Sequence, residues 1–269
     1  MTVASSRQTE PLTRPSFVDG TRRHVLDLDD FSQDEMDLVL DTTEVMREVL
    51  DRDTKKVTTL RGKVMVTLFY EPSTRTRVSF EESGKIMSAD VMNVSTSGSS
   101  VEKGESVLNT VLTLQATGVD LLVVRHGQSG APYFMAKHLQ KTGVVNGGDG
   151  LHAHPTQALL DLYTMRRHLR SMKGRKVVIV GDVLHSRVAR SNLWGLVQVG
   201  ARVTLCGPPT LLPLEFLRGE HRKAGHPLAT VEVELDVDRA LEGADVVMPL
   251  RLQMERQHGG YLPTLREYS

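Results

Sequence analysis

The stretch Phe69-Tyr70-Glu71-Pro72-Ser73-Thr74-Arg75-Thr76-Arg77-Val78-Ser79-Phe80 decides how the chain is read. It follows Val64-Met65-Val66-Thr67-Leu68-Phe69, an apolar run of the kind a buried parallel strand shows. Pro72 cannot continue a strand ladder and marks a turn. Small hydroxyl residues and arginines come next, then a helical pattern. A strand, a tight turn and a helix N-terminus make an anion site, because the first helical N–H groups lack internal partners and the dipole favours negative charge there. Ser73, Thr74 and Thr76 add hydroxyls. Arg75 adds a planar fork that grips phosphate bidentately. A capped helix carrying surface arginines is the plainer alternative; two arginines interleaved at such a turn favour the phosphate cradle.

The same strand–turn–helix rhythm repeats outward from this point. Upstream, His24-Val25-Leu26-Asp27 reads as a short opening strand. Ser32 with Glu35 gives a capping box before an amphipathic helix over about 33–51. Downstream, strands are expected at 90–94, 119–124 and 143–146, with helices to about Met87, over 105–117 and from Pro132 to Gln140. Arg125 and His126 then follow a strand, at the carboxyl edge where open parallel sheets bind ligands. Ser95 to Glu105 is a loop by composition. In Gly147-Gly148-Asp149-Gly150-Leu151-His152-Ala153-His154 the glycines allow a close backbone approach to a ligand. His152 and His154 invite a metal reading, but no matching Cys or carboxylate set lies at ligand spacing, so no metal is expected. Pro155 opens a helix carrying Ala158, Leu159, Leu162, Met165 and Leu169.

A second alternation begins at Lys173. Strands are expected at 176–180, 201–206, 231–233 and 244–248, with a helix after Ser186-Arg187. The Gly-x-Gly-x-x-Gly spacing is absent, so no dinucleotide is expected. The fold class is α/β, two parallel-sheet domains with a cleft between them. The chain divides into a tail over 1–23, expected to be disordered, a first domain over 24–153 and a second over 154–269.

Composition narrows the function. The 269 residues carry 33 basic and 33 acidic side chains, so there is no basic excess for nucleic acid or a membrane surface. No run approaches the roughly 18 apolar residues of a membrane span. The single cysteine, Cys206, lies in a strand-like run and reads as core; with no internal disulfide available, a cytoplasmic location is expected.

Ser73-Thr74-Arg75-Thr76-Arg77 resembles the phosphate motif of the carbamoyltransferases. His154-Pro155-Thr156-Gln157 and Arg251-Leu252-Gln253-Met254-Glu255-Arg256 resemble, in the same order, the substrate motifs of its aspartate carbamoyltransferase branch. The resemblance runs from about His24 to about Arg256. It implies carbamoyl phosphate on the first domain, L-aspartate on the second, and no cofactor. It implies that Ser73, Thr74, Arg75 and Thr76 hold the phosphate, joined by Ser99 and Lys103 from a neighbouring chain. Thr76, Arg125 and His154 would polarise the carbonyl, Gln157 would hold the carbamoyl amide, and Arg187, Arg251 and Gln253 would take the aspartate. The catalytic set is then Arg75, Thr76, Lys103, Arg125 and His154. The resemblance further implies a homotrimer with shared active sites, and it leaves a regulatory chain or dihydroorotase open as partners.

The family continues past this point with a His-Pro-Leu-Pro-Arg segment and a final helix, and neither stands in the sequence. The resemblance therefore implies an aspartate domain short of its C-terminal part, either a fragment or a shortened chain of impaired catalysis. Two other readings remain. One is a sister carbamoyltransferase using ornithine, which Arg251 and Gln253 disfavour because they suit an acidic acceptor. The other is a non-catalytic relative that binds a phosphate metabolite or a partner chain.

Overall fold

The computed structural model describes residue 16 and residues 19–95 and 106–253. Helix α1 (Gln33–Leu50) opens with the expected capping box: the Ser32 side chain accepts from the Glu35 N–H, and the Glu35 carboxylate accepts from the Ser32 N–H. The chain then runs β1 (Val64–Phe69), α2 (Thr74–Ile86), β2 (Asp90–Ser95), α3 (Val107–Ala116), β3 (Leu121–His126), α4 (Ala131–His138) and β4 (Gly143–Asp149). Helix α5 (Pro155–Leu169) crosses to β5 (Lys176–Val180), α6 (Arg187–Gln198), β6 (Arg202–Cys206), α7 (Leu214–Leu217), β7 (Glu232–Glu234), α8 (Val237–Leu241) and β8 (Val246–Pro249).

Every strand pairing is parallel. The first sheet has the order β2-β1-β3-β4 and the second β7-β6-β5-β8. Each sheet thus reverses direction once, between β1 and β3 and between β5 and β8. At such a switch point the outgoing loops diverge and leave a crevice at the carboxyl edge.

Several expected bounds move. The opening strand reduces to a single bridge, Val25 with Val145. Strand β3 extends through Arg125 and His126, so these residues stand on the strand and not after it, with an irregular register between Val124 and His126 against β4. The strand expected at 143–146 continues through Gly147, Gly148 and Asp149. The tail expected over 1–23 contains an anchored residue near its end. Arg22 is buried, donates to both carboxylate oxygens of Glu35 at 2.6 and 3.1 Å, and stacks on Phe31.

Apolar packing explains the architecture. Val66, Leu68, Leu122, Val124 and Val144 fill one face of the first sheet, and Met65, Phe69 and Val123 fill the other. The second core joins Val177, Ile179, Val203 and Leu205 to Leu162 of α5 and Leu196 of α6. Met36 and Leu40 of α1 sit in that second core, so the first helix of the chain packs on the far half. Tyr163 of α5 donates to Glu44 of α1 at 2.6 Å. Cys206 is buried and free, and burial pushes its thiol up, away from the reactive thiolate.

Candidate active site

The turn after β1 delivers Ser73 to the N-cap of α2. Its hydroxyl accepts from the Thr76 N–H at 3.3 Å and donates to Thr76 Oγ1 at 2.9 Å. His154 and Ser186 occupy the N-caps of α5 and α6. All three caps line one cleft of about 500 Å³. Three helix N-termini therefore converge on a single space, each favouring an anion.

Arginines deepen that field. Arg75, Arg125, Arg187 and Arg251 line the same cleft, with Thr76, Gln157 and Gln253. Arg125 comes from the β1/β3 switch point, where Phe69 pairs with it, and Arg251 and Gln253 follow β8 at the other switch point. Thr74 is exposed and stands outside the cleft lining. Arg77 lies over the Phe69 ring. Ser99 and Lys103 lie outside the described residues, as do Glu255 and Arg256.

Sequence reasoning missed the residues that hold this wall in place. Glu71, two residues before the cap, is the chief of them. Arg125 donates to it from β3, and Arg187 donates to both of its oxygens at 2.7 and 3.3 Å from α6. One carboxylate thereby links the two sheets through two buried guanidiniums. The glycine run serves the arginines themselves. Arg125 donates to the Gly147 carbonyl at 3.1 Å and Arg187 to the Gly150 carbonyl at 3.2 Å. Gly148 has φ +114°, and a Cβ there would lie 2.9 Å from Arg125 Nη1 and from Arg187 Cζ.

Carboxylates orient the rest. Asp149 is fully buried and accepts from the N–H groups of Gly130 and Ala153 and from the Asn146 amide, fixing the loop that leads to His154. It also pairs with His152 Nδ1 at 3.2 Å, which raises the imidazole pKa. Among the described residues no group of three or more His, Cys, Asp or Glu is placed to hold a metal. The His154 N–H donates to Ser191 Oγ at 2.9 Å, and that hydroxyl donates to Asp27 at 2.5 Å. Burial raises Asp27 to a pKa of about 6. Asp182 accepts from the Gln253 N–H at 3.0 Å and pairs with His185 at 2.7 Å. The clue to Glu71, Asp149 and Asp182 was acidic residues beside the anion motifs, where their own charge is unfavourable unless a cation or donor meets it; Asp27 has no such signal.

Two parallel sheets, facing switch points and an arginine-lined cleft define an α/β protein built to hold small anions side by side. The chain belongs to the aspartate/ornithine carbamoyltransferase family: residues 23–167 match its carbamoyl-P binding domain and residues 173–266 its Asp/Orn binding domain. Relatives named aspartate carbamoyltransferase catalytic subunit include those of Chloroflexus aggregans and Roseiflexus castenholzii. The first is 57% identical over 92% of this chain and 78% of the relative; the second is 58% identical over 92% and 76%. Among solved structures, the catalytic subunit of M. jannaschii aspartate transcarbamoylase superposes with a TM-score of 0.77 at 33% identity, covering 92% of this chain and 78% of that one. The Trypanosoma cruzi aspartate transcarbamoylase solved with carbamoyl phosphate gives a TM-score of 0.78 at 28% identity, covering 92% and 77%. No helix among the described residues is long and apolar enough to cross a membrane.

Proposed function

We propose that this chain is the catalytic chain of an aspartate carbamoyltransferase. Carbamoyl phosphate and L-aspartate give N-carbamoyl-L-aspartate and phosphate, a step of pyrimidine synthesis. One observation carries the reading: Ser73, Arg75 and Thr76, His154 and Gln157, and Arg251 and Gln253, from three separated motifs, line a single cleft between the carboxyl edges of two sheets.

The chemistry asks for two anions in register and a stabilised carbonyl oxygen. Ser73, Arg75 and Thr76 receive the phosphate at the start of α2, and Thr74, whose side chain stands outside the cleft lining, contributes only its backbone N–H as the first residue of the helix. Thr76, Arg125 and His154 donate towards the carbamoyl oxygen as negative charge develops there. Arg187, Arg251 and Gln253 take the aspartate carboxylates. The aspartate amine attacks the carbamoyl carbon, the bond from that carbon to the phosphate oxygen breaks, and the departing phosphate accepts the amine's proton. Ser99 and Lys103 join from a neighbouring copy in a homotrimer located in the cytoplasm.

The test is ureido-product formation from carbamoyl phosphate, with aspartate and ornithine run in parallel. Product with aspartate alone supports the reading. Product with ornithine alone transfers the chain to the sister activity, and binding without turnover indicates a non-catalytic relative.

A further inference from the structure

Gln157 and Asp161 both line the cleft, Asp161 one helical turn further along α5. The Gln157 Nε2 donates to Asp161 Oδ1 at 3.0 Å. The second carboxylate oxygen is also taken, because Asn192 of α6 donates through Nδ2 to Asp161 Oδ2 at 2.8 Å. The same Asn192 nitrogen donates to the Val188 carbonyl at 3.0 Å. Both amide hydrogens of Asn192 thus go to acceptors, and its Oδ1 is buried with no hydrogen-bond partner among the described residues. Turning that amide over would set its oxygen against a carboxylate and a carbonyl. Asn192 is therefore fixed as a donor, and Asp161 as an acceptor. Burial raises the Asp161 pKa, and the donors Asn192 and Gln157 oppose that rise and favour the carboxylate.

An ionised carboxylate accepts only, so the amide facing it presents its NH₂. Gln157 then has its Oε1 left over as an acceptor for a ligand. We propose that Asp161 is a positioning residue that fixes the amide of Gln157 so that its carbonyl reads the NH₂ of the carbamoyl group. The proposal rests on the transferase reading and adds to it a source of selectivity. A carbamoyl group offers N–H where an acetyl group of the same size offers a methyl, and a site built to accept a hydrogen bond rejects the analogue that cannot donate one. Acetyl phosphate carries the same phosphate and the same carbonyl, so comparing it with carbamoyl phosphate isolates this one contact.

Calorimetric titration of the purified protein with carbamoyl phosphate and with acetyl phosphate tests the idea. The wild-type chain should prefer carbamoyl phosphate. In Asp161→Asn the new amide can donate to Gln157, which then turns its own NH₂ towards the ligand. Carbamoyl phosphate affinity should fall by about tenfold, the worth of one hydrogen bond, while acetyl phosphate affinity changes less than about twofold. Adding Gln157→Glu to Asp161→Asn should recover part of the preference, since a carboxylate at 157 accepts from both sides. If Asp161→Asn fails to fold, Asn192→Ala, which releases Asp161 from α6 without touching the cleft lining, should narrow the same ratio. A wild-type chain that binds no carbamoyl phosphate overturns the transferase reading itself. A wild-type chain that binds it, with a preference unchanged in folded Asp161→Asn, overturns the role of Asp161 and leaves the transferase reading standing.

Discussion

Arg125 and Arg187 are buried, and both form salt bridges with the same Glu71 carboxylate. Glu71 is part-exposed and the arginines line an open cleft, so water screens the loss of this partner and the cost is about 1–3 kcal/mol. Glu71→Ala should lose stability of that order in urea unfolding, and activity should fall with it, because the arginines no longer hold their places across the two sheets. Gly148→Ala should act on the same pair from the other side: the Cβ collides with both arginines and the backbone is held at a φ suited to glycine. Aspartate affinity should drop in that variant while the α2 cradle still binds phosphate. Asp27 gives a prediction in pH. Its folded pKa of about 6 stands above the ordinary value of 3.8, so the unfolded chain releases this proton first. The carboxylate therefore removes stability as pH rises between those values, and nothing more is lost above the folded pKa. Relative to Asp27→Asn, wild-type stability should fall by about 2 kcal/mol between pH 4 and pH 7. Equal pH dependence in the two proteins would contradict this. At this scale the sequence disclosed the cations and hid their partners. Arg75 and Arg125 announce an anion by their place beside a strand end, whereas Glu71 finds Arg187 116 residues away, and no local pattern encodes that distance.

At the scale of elements, α2 is both a capped helix and half of a binding site, and the two roles can be separated. Ser73→Asp keeps a good N-cap, because Asp caps as well as Ser, but it sets a negative charge where a phosphate is expected. Thermal unfolding should be nearly unchanged while carbamoyl phosphate binding is lost. Ser73→Ala should do the reverse in part, costing about 1 kcal/mol of stability with a smaller loss of affinity. If Ser73→Asp binds carbamoyl phosphate as the wild type does, α2 is merely a capped helix. Elements were the most legible part of the chain. The run at Val64–Phe69, the box at Ser32 and Glu35 and the proline at 155 each rest on forces acting within a few residues. What escaped was set by neighbours. Strand β3 continues to His126 because β4 pairs with it there through an irregular register, and α1 docks on α5 and α6 through Met36 and Leu40, which its own periodicity marks only as apolar.

At the scale of the whole molecule, the site exists because two sheets with the same reversal face one another, so that loops after β1, β3, β5 and β8 meet. Composition and periodicity gave two α/β halves but not their facing; that depends on α5 and on the cross-packing of α1. The same logic extends to assembly. Lys103 follows the first sheet's second strand, and the proposal sends it to the cleft of a neighbouring copy, whose own Arg75 grips the same phosphate. A Lys103→Ala chain and an Arg75→Ala chain should each be inactive alone. In a closed three-fold ring formed from an equal mixture, each hybrid trimer contains one cleft in which an intact Arg75 meets an intact Lys103. Random mixing then restores about a quarter of the wild-type sites. The mixture must first be dissociated and reassembled, and hybrids confirmed by differential tagging. Activity near that fraction would establish a shared site. Demonstrated hybrids without recovered activity would mean that each chain completes its cleft from its own residues, and Lys103 would lose its proposed role across the interface.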